Sequence, residues 1–441
     1  MRVAVVGGGL AGIAAALRLA DDGAEVTLLE SRAKLGGLTH SFRRGQLWVD
    51  NGQHVFMRCC TQYLSFLDRL GVRDQTALQD RLDVRVASEL DPRVSRLRRN
   101  GLPAPLQLGA ALARYRWLPL SQRARVAPVA LAMRRLDVRD PGVDGQSFGA
   151  WLRERGCSDR SIEAVWELIG KATINAGADD SSLAMAATVF QLGMLSDRAA
   201  ADIGWATVPL QQLHGDAAAT ALGGAGVSVL LRAKVSQVAP SPTGWNVRTA
   251  DGETTFDAVV LAVPPTALEK ITDLQQLGLP PDLAQRLGSA PIVNLHVILD
   301  RTVLDGEFIA AVDSPLQWVF DRTEVSGLTH GQYLAVSISA AEDLVDTPVA
   351  QLREWAMPHL CALLPGMSDA TVLDFFVTRE PDATFRAAPG SGALRPPART
   401  PVDGLVLAGA WTDTGWPATM EGAVRSGHAA AAVLRARYPE R

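Results

Sequence analysis

Little in this sequence offers a disulfide framework or a metal site. Its four cysteines, Cys59, Cys60, Cys157 and Cys361, follow neither a paired pattern nor metal-ligand spacing. That excludes a stapled secreted scaffold and places the chain in a reducing cytoplasm. Adjacent Cys59 and Cys60 read as two half-buried thiols rather than a redox pair. A basic excess is lacking too: the formal net charge is −4, which argues against a general nucleic-acid binder. The longest uncharged stretch near the N-terminus, Val3 to Leu17, is rich in glycine. It falls short of the ~20 residues a membrane-spanning helix needs. It is followed by no clear small-residue cleavage site, so it does not read as a secretion signal. Repeats and low-complexity tracts are also missing. With 441 residues, 47% of them hydrophobic and 20% charged, the chain is globular and holds material for two to three domains.

What is present begins at once. Residues Arg2 to Val6 form a short apolar, β-branched run that predicts a buried strand. Gly7-Gly8-Gly9-Leu10-Ala11-Gly12 follows, then a helical run that stops near Gly23, then a second strand ending at Glu30. Each part has a physical task in holding a dinucleotide. Gly7 permits the tight turn, Gly9 lets backbone approach a pyrophosphate, and Gly12 lets the helix pack closely on the sheet. The helix start at Leu10 and Ala11 offers free amides and a positive dipole end to phosphate. Glu30, eighteen residues after Gly12, is placed to accept hydrogen bonds from ribose hydroxyls.

That cradle does not separate FAD from NAD; the next residues do. Glu30-Ser31-Arg32-Ala33-Lys34-Leu35-Gly36-Gly37, leading into Leu38 and Thr39, is an E-x-R-x-x-x-G-G block. It resembles the signature of the flavoprotein amine oxidase and phytoene desaturase superfamily, in which the arginine and paired glycines lie along the FAD pyrophosphate. Arg32 supplies charge, and glycines let the chain pass close. The fold implied is α/β: a Rossmann-like FAD-binding domain interleaved with a mixed α+β substrate domain that carries an antiparallel sheet.

Two later blocks return to that site. Residues 221–268 read as a loop and strand pair, a hairpin turning at Asp251-Gly252, and a buried strand ended by Pro264-Pro265. The resemblance places Val235 against the adenine. The run from Gly404 to Leu434 resembles the closing block of the superfamily: a strand ending at Gly409, a flavin-contacting loop, and a helix from Met420. Gly422 and Ala423 keep that helix start free of bulk, so its amides face the flavin. Where many relatives carry an acid after the strand-ending glycine, this chain has Ala410; Asp413 is the substitute candidate. No second G-x-G-x-x-G follows a strand, so no NAD(P)H domain is expected and electrons are exchanged with an external donor, oxygen or a quinone.

The FAD-binding domain is therefore expected from 1–83, 205–289 and 396–441, and the substrate domain from 84–204 and 290–395. In the second interval IVNLHVIL, PLQWVFD and QYLAVSIS alternate as antiparallel strands do; the first is mainly helical. From Arg96 to Arg139 run ten arginines (96, 98, 99, 114, 116, 123, 125, 134, 135 and 139) against one acid, Asp137. Such a stretch reads either as a solvated helix face or as a patch that rests on the inner face of an anionic membrane.

Taken together, Val49 to Thr61 (with DNGQH), PIVNLHV at 291–297, QWVFDR at 317–322 and the stretch from Thr412 to Gly427 resemble the hydroxysqualene dehydroxylases, over nearly the whole chain. That resemblance implies reduced FAD, a C30 isoprenoid alcohol, loss of its allylic hydroxyl as water, and squalene as product. It also sets Gly52, Gln53 and His54 beside the flavin. Such chemistry needs a proton donor and a dry apolar tunnel. His54 is the candidate acid, because imidazole takes up a proton near neutral pH, although a histidine held structurally at a turn is the commoner case. Arg58 and Asp321 are lesser candidates, and Trp166, Trp318 and Phe320 are candidate tunnel walls. Three rivals share the fold. A phytoene-type desaturase would run the oxidative direction. An amine oxidase needs a lysine at the flavin, and none of Lys34, Lys171, Lys234 and Lys270 lies in a matching block. A prenyl-lipid escort without flavin is disfavoured by the Gly36-Gly37 and C-terminal blocks.

Overall fold

Five short apolar segments drawn from distant parts of the chain meet in one parallel sheet. The computed structural model describes residues 1–437. It orders these strands Ser228–Leu231, Glu25–Glu30, Arg2–Val6, Ala258–Leu261 and Leu405–Leu407. Parallel strands covered on both faces read as continuous hydrophobic runs, and Val3, Val5, Val259, Val260 and Leu261 have no exposed surface. Helix Leu10–Asp21 packs between this sheet and helix Met420–Arg437. Because all five strands point the same way, the loops at residues 7, 31, 232, 262 and 408 leave one common edge, where such sheets bind their ligands.

Residues 221–240 do not form the strand pair expected. Ser228–Leu231 joins the parallel sheet, whereas Gln237–Ser241 opens an antiparallel meander with Gly244–Thr249 and Gly252–Phe256. The cause lies between them: the Arg232 and Ala233 amides donate to the Arg32 and Glu30 carbonyls and turn the chain away. The meander's turn lies one residue earlier than expected, with Thr249 paired to Gly252.

The second large sheet has seven strands, ordered Val372–Phe385, Ser289–Leu299, Gln332–Ser339, Trp318–Asp321, Phe308–Val312, Asp83–Ser88 and Asp91–Arg98. Its pairs are antiparallel except that Phe308–Val312 runs parallel to Asp83–Ser88, the junction that joins the 83–98 hairpin to the later strands. Side chains alternate across a strand. Along Ser289–Leu299, Val293, Leu295 and Val297 accordingly pack with helix Val349–Leu363 on one face, leaving Ile292 and Asn294 for the other. Trp166 is a core residue rather than a tunnel wall. Its ring meets Phe148 and Phe190 edge-on, at centroid distances of 6.3 and 5.2 Å.

Candidate active site

The strand–turn–helix at the N-terminus is closed by backbone contacts. Gly7 has a φ of +111°, which L side chains rarely adopt. A Cβ on Gly12 would stand 1.9 Å from the Gly7 carbonyl oxygen, so only glycine lets helix Leu10–Asp21 start this close to the strand. No side chain caps that helix at Gly9, so its first amides are left for an anion. The second glycine block folds onto the first: the Gly36 amide donates to the Gly8 carbonyl, and Gly9 faces Gly37. Glu30 is buried, its carboxylate accepting from the Gly8 and Arg32 amides at 2.7 Å each and from Ser31 Oγ at 3.1 Å. A carboxylate has about four acceptor sites, so one remains for a ribose hydroxyl. Uncapped amides, facing glycines and this anchored acid fit the diphosphate and ribose of a dinucleotide.

From that cradle a cavity of about 1040 Å³ runs into the interior. Pockets for one small ligand occupy ~300–1,000 Å³, so this one has room for a cofactor and part of a substrate. Its wall includes Gly7, Gly9, Leu10, Ala11, Glu30, Ser31, Arg32, Gly36, Gly37, Leu38 and Thr39 at one end, with Val235 beside them. Gly52, Gln53, His54, Gly409, Met420 and Ala423 line it farther in. Gly12 lies behind the wall, in its packing role. Beyond these, Val84, Leu97, Leu108, Val189, Met194, Phe308, Trp318 and Phe320 make an apolar chamber.

Three expectations about the C-terminal block change. Asp413 is exposed, holds the Gly415 amide and does not line the cavity. Gly422 also lies off the wall, its amide taken by Thr419 Oγ1, while the Ala423 amide donates to the Thr419 carbonyl. The helix start therefore has fewer free amides than a bare terminus. Two residues the sequence reading missed organise this end. Arg395 donates to the Ala410, Thr412 and Trp416 carbonyls through Nη2 and to the Trp411 carbonyl through Nε; burial brings it down to about 10, still charged at neutral pH. Glu421, 1% exposed, accepts from the Tyr63 amide at 2.7 Å, the Gln62 amide at 3.3 Å and Arg425 Nε at 2.6 Å. It thereby caps helix Thr61–Leu70 from another element. Glu421→Gln keeps the shape but loses the charge, and a thermal melt is expected to show about 1–3 kcal/mol of destabilisation; an unchanged melt would contradict this.

His54 lines the cavity, with Nδ1 3.0 Å from the Gly52 carbonyl oxygen. Burial pushes its pKa below the ordinary imidazole value, so it stands neutral at pH 7 rather than as the ready imidazolium expected. Behind it lies a second cavity of about 10 Å³, close to the smallest that holds a water molecule. Asp50, Glu307, Asp321 and Arg322 line that space, and Gln53, His54, Val55, Phe308 and Phe320 separate it from the large one. Asp321 is also tied to Gln332 Nε2 and the Thr323 amide. Arg58 lines neither cavity; it pairs with buried Asp202, which Arg99 also holds. Of the lysines, Lys234 and Lys270 line the large cavity, Lys234 next to Val235 at the cradle end. Lys34 donates to the Ser41 carbonyl. Among the described residues no His, Cys, Asp and Glu cluster could hold a metal.

Comparison with known proteins agrees with this geometry. Residues 10–435 match the model of the flavin containing amine oxidoreductases. The chain is 27% identical to a hydroxysqualene dehydroxylase of Rhodopseudomonas palustris, over 98% of both chains. It is 26% identical to a 15-cis-phytoene desaturase of Narcissus pseudonarcissus, over 97% of this chain and 78% of that protein. Cyclohexylamine oxidase from Brevibacterium oxydans shares the fold at a TM-score of 0.74 and 18% identity, over 100% of this chain and 99% of that one. The chain belongs to the flavin-containing amine oxidoreductase family and is an FAD-dependent oxidoreductase.

Proposed function

We propose that this enzyme removes the allylic hydroxyl of hydroxysqualene reductively, giving squalene and water. The observation that carries the reading is one cavity joining a dinucleotide cradle to an apolar chamber, in a chain that matches a hydroxysqualene dehydroxylase end to end. Residues 1–83, 205–289 and 396–441 are read as the FAD-binding unit, and 84–204 with 290–395 as the substrate unit. The cradle residues that line the cavity would hold FAD, with Gly12 supporting them from behind. When reduced, FAD supplies the hydride. The chain's own residues exclude water from the substrate and deliver one proton to the leaving oxygen.

His54 is the proposed donor, in a changed form. Among the described residues it is the sole titratable side chain in the wall between the two cavities. A proton from the small polar cavity, whose outer end is the exposed Glu307, would reach the chamber through this imidazole, charged only in passing.

Reaching a lipid requires a surface. In the 96–139 stretch, Arg96 and Arg98 pair with Asp83, Arg99 with Asp202, and Arg123 and Arg125 bind carbonyls. Arg114, Arg116, Arg134, Arg135 and Arg139 are exposed, interleaved with exposed Leu120 and Leu131 and preceded by Leu102 and Leu106. Leu108 of the same stretch lines the cavity. No described helix is long and apolar enough to cross a membrane, so contact would be peripheral. Each arginine near an anionic surface contributes about 1 kcal/mol. The protein is expected to sediment with phosphatidylglycerol vesicles at low salt, to be released by high salt, and to ignore phosphatidylcholine. Equal behaviour towards both lipids would remove the patch from the account.

The plant desaturases match at nearly the same identity, which makes oxidative desaturation of a polyene the second reading. Product analysis separates the two. Reduced enzyme should turn hydroxysqualene into squalene, and oxidised enzyme should leave phytoene unchanged. The opposite pattern would establish the desaturase.

A further inference from the structure

Asn294 sits on the cavity face of strand Ser289–Leu299, 1% exposed, and neither Oδ1 nor Nδ2 has a hydrogen-bond partner among the described residues. Buried amides are nearly always paired, and leaving one unpaired costs more than the bond itself returns. Thr378, its register partner on one side, meets His296 Nε2 and donates to the Asn51 carbonyl. Ser337, its register partner on the opposite strand, and His54 both line the cavity. The space before Gly52 is bounded by Asn294 and His54 together, since a Cβ built there would stand 3.6 Å from Asn294 Nδ2 and 3.4 Å from the His54 ring. An unpaired buried amide on the wall of a largely apolar cavity is poorly suited to a pure hydrocarbon and well suited to a hydrocarbon with one hydroxyl. An alcohol satisfies both halves of an amide, donating to Oδ1 and accepting from Nδ2.

We infer that Asn294 is the specificity-determining residue that recognises the hydroxyl of an isoprenoid alcohol, and that it holds this oxygen beside His54. This deepens the dehydroxylase reading and rests on it for the identity of the alcohol, but not for the amide's preference for one. A site built around a hydroxyl loses affinity for the analogue lacking it, because the amide stays unpaired.

Binding to the oxidised holoenzyme tests this without turnover, through the change in flavin absorbance as hydroxysqualene or squalene is added. The wild type is expected to favour the alcohol by about tenfold to a hundredfold. Asn294→Leu should abolish that preference while keeping the flavin spectrum and the affinity for squalene. Asn294→Thr, which retains a hydroxyl, should keep part of the preference and serves if the leucine variant does not fold. Equal affinities in the wild type would overturn the inference, as would a leucine variant that still prefers the alcohol. So would a variant whose flavin content or spectrum changes instead, which would assign the amide to the cofactor. A wild type that prefers the alcohol but forms no squalene when reduced would refute the proposed reaction and leave Asn294 in its role.

Discussion

Gly12→Ala is expected to yield protein that carries no flavin and melts well below the wild type. The added methyl would lie 1.9 Å from the Gly7 oxygen and 3.0 Å from its carbon. Both are backbone atoms, and neither can retreat. Gly7 is fixed by the hydrogen bond its amide donates to the Leu29 carbonyl and by Ala262, whose oxygen a Gly7 Cβ would meet at 2.3 Å. Overpacking in cores costs about 1–3 kcal/mol where side chains give way, and here the helix start must move instead. The ratio of flavin to protein absorbance and a thermal melt read the two effects. Gly9→Ala is the control: its methyl meets only the Gly37 Cα, at 3.7 Å, so the fold should persist while the approach of a diphosphate is blocked. Full flavin content in Gly12→Ala would show that the cradle is not where the cofactor binds.

The second large effect is loss of stability in mild acid. His214 and His296 are wholly buried, and burial brings each down to about 3. In the neutral form one meets Tyr63 Oη at 2.8 Å, and the other meets Tyr333 Oη and Thr378 Oγ1 at 2.8 and 2.9 Å. Unfolded, each titrates near 6.5. Between pH 6.5 and 3 the unfolded chain therefore binds more protons than the native one. Stability is complete above pH 6.5 and is lost as pH falls. At pH 5 the loss is about 2 kcal/mol for each, or about 4 for both. Denaturant midpoints measured from pH 7.5 to 5 should fall accordingly, and His296→Gln should flatten part of the slope. A midpoint that stays level to pH 5 would contradict this account.

The parts of the site that sequence discloses are those built from local backbone. A strand, a glycine turn and a helix start depend on residues within one segment, so Gly7, Gly9, Gly12 and Glu30 were legible. Gly36 and Gly37 were legible for the same reason. What escaped depends on which distant atoms meet. Asn294 reads as one polar residue in an alternating strand, and only the packed sheet shows its amide unpaired. Arg395 and Glu421 look like surface charges, yet one gathers the carbonyls of the 410–416 loop and the other caps a helix far away in sequence. Asp413 lies close in sequence to where relatives carry an acid, but its loop turns it to solvent. His54 lines the cavity, and its neutral state follows from burial, which no local pattern reports.

Under the proposed function, reducing equivalents stored on this protein pass to an isoprenoid alcohol. The most direct measurement is a single turnover without oxygen, in which the bound flavin is reduced, hydroxysqualene is added, and flavin reoxidation and squalene are followed together. One squalene is expected per flavin reoxidised, with the two signals rising in step. Flavin that stays reduced while hydroxysqualene is recovered intact would contradict it.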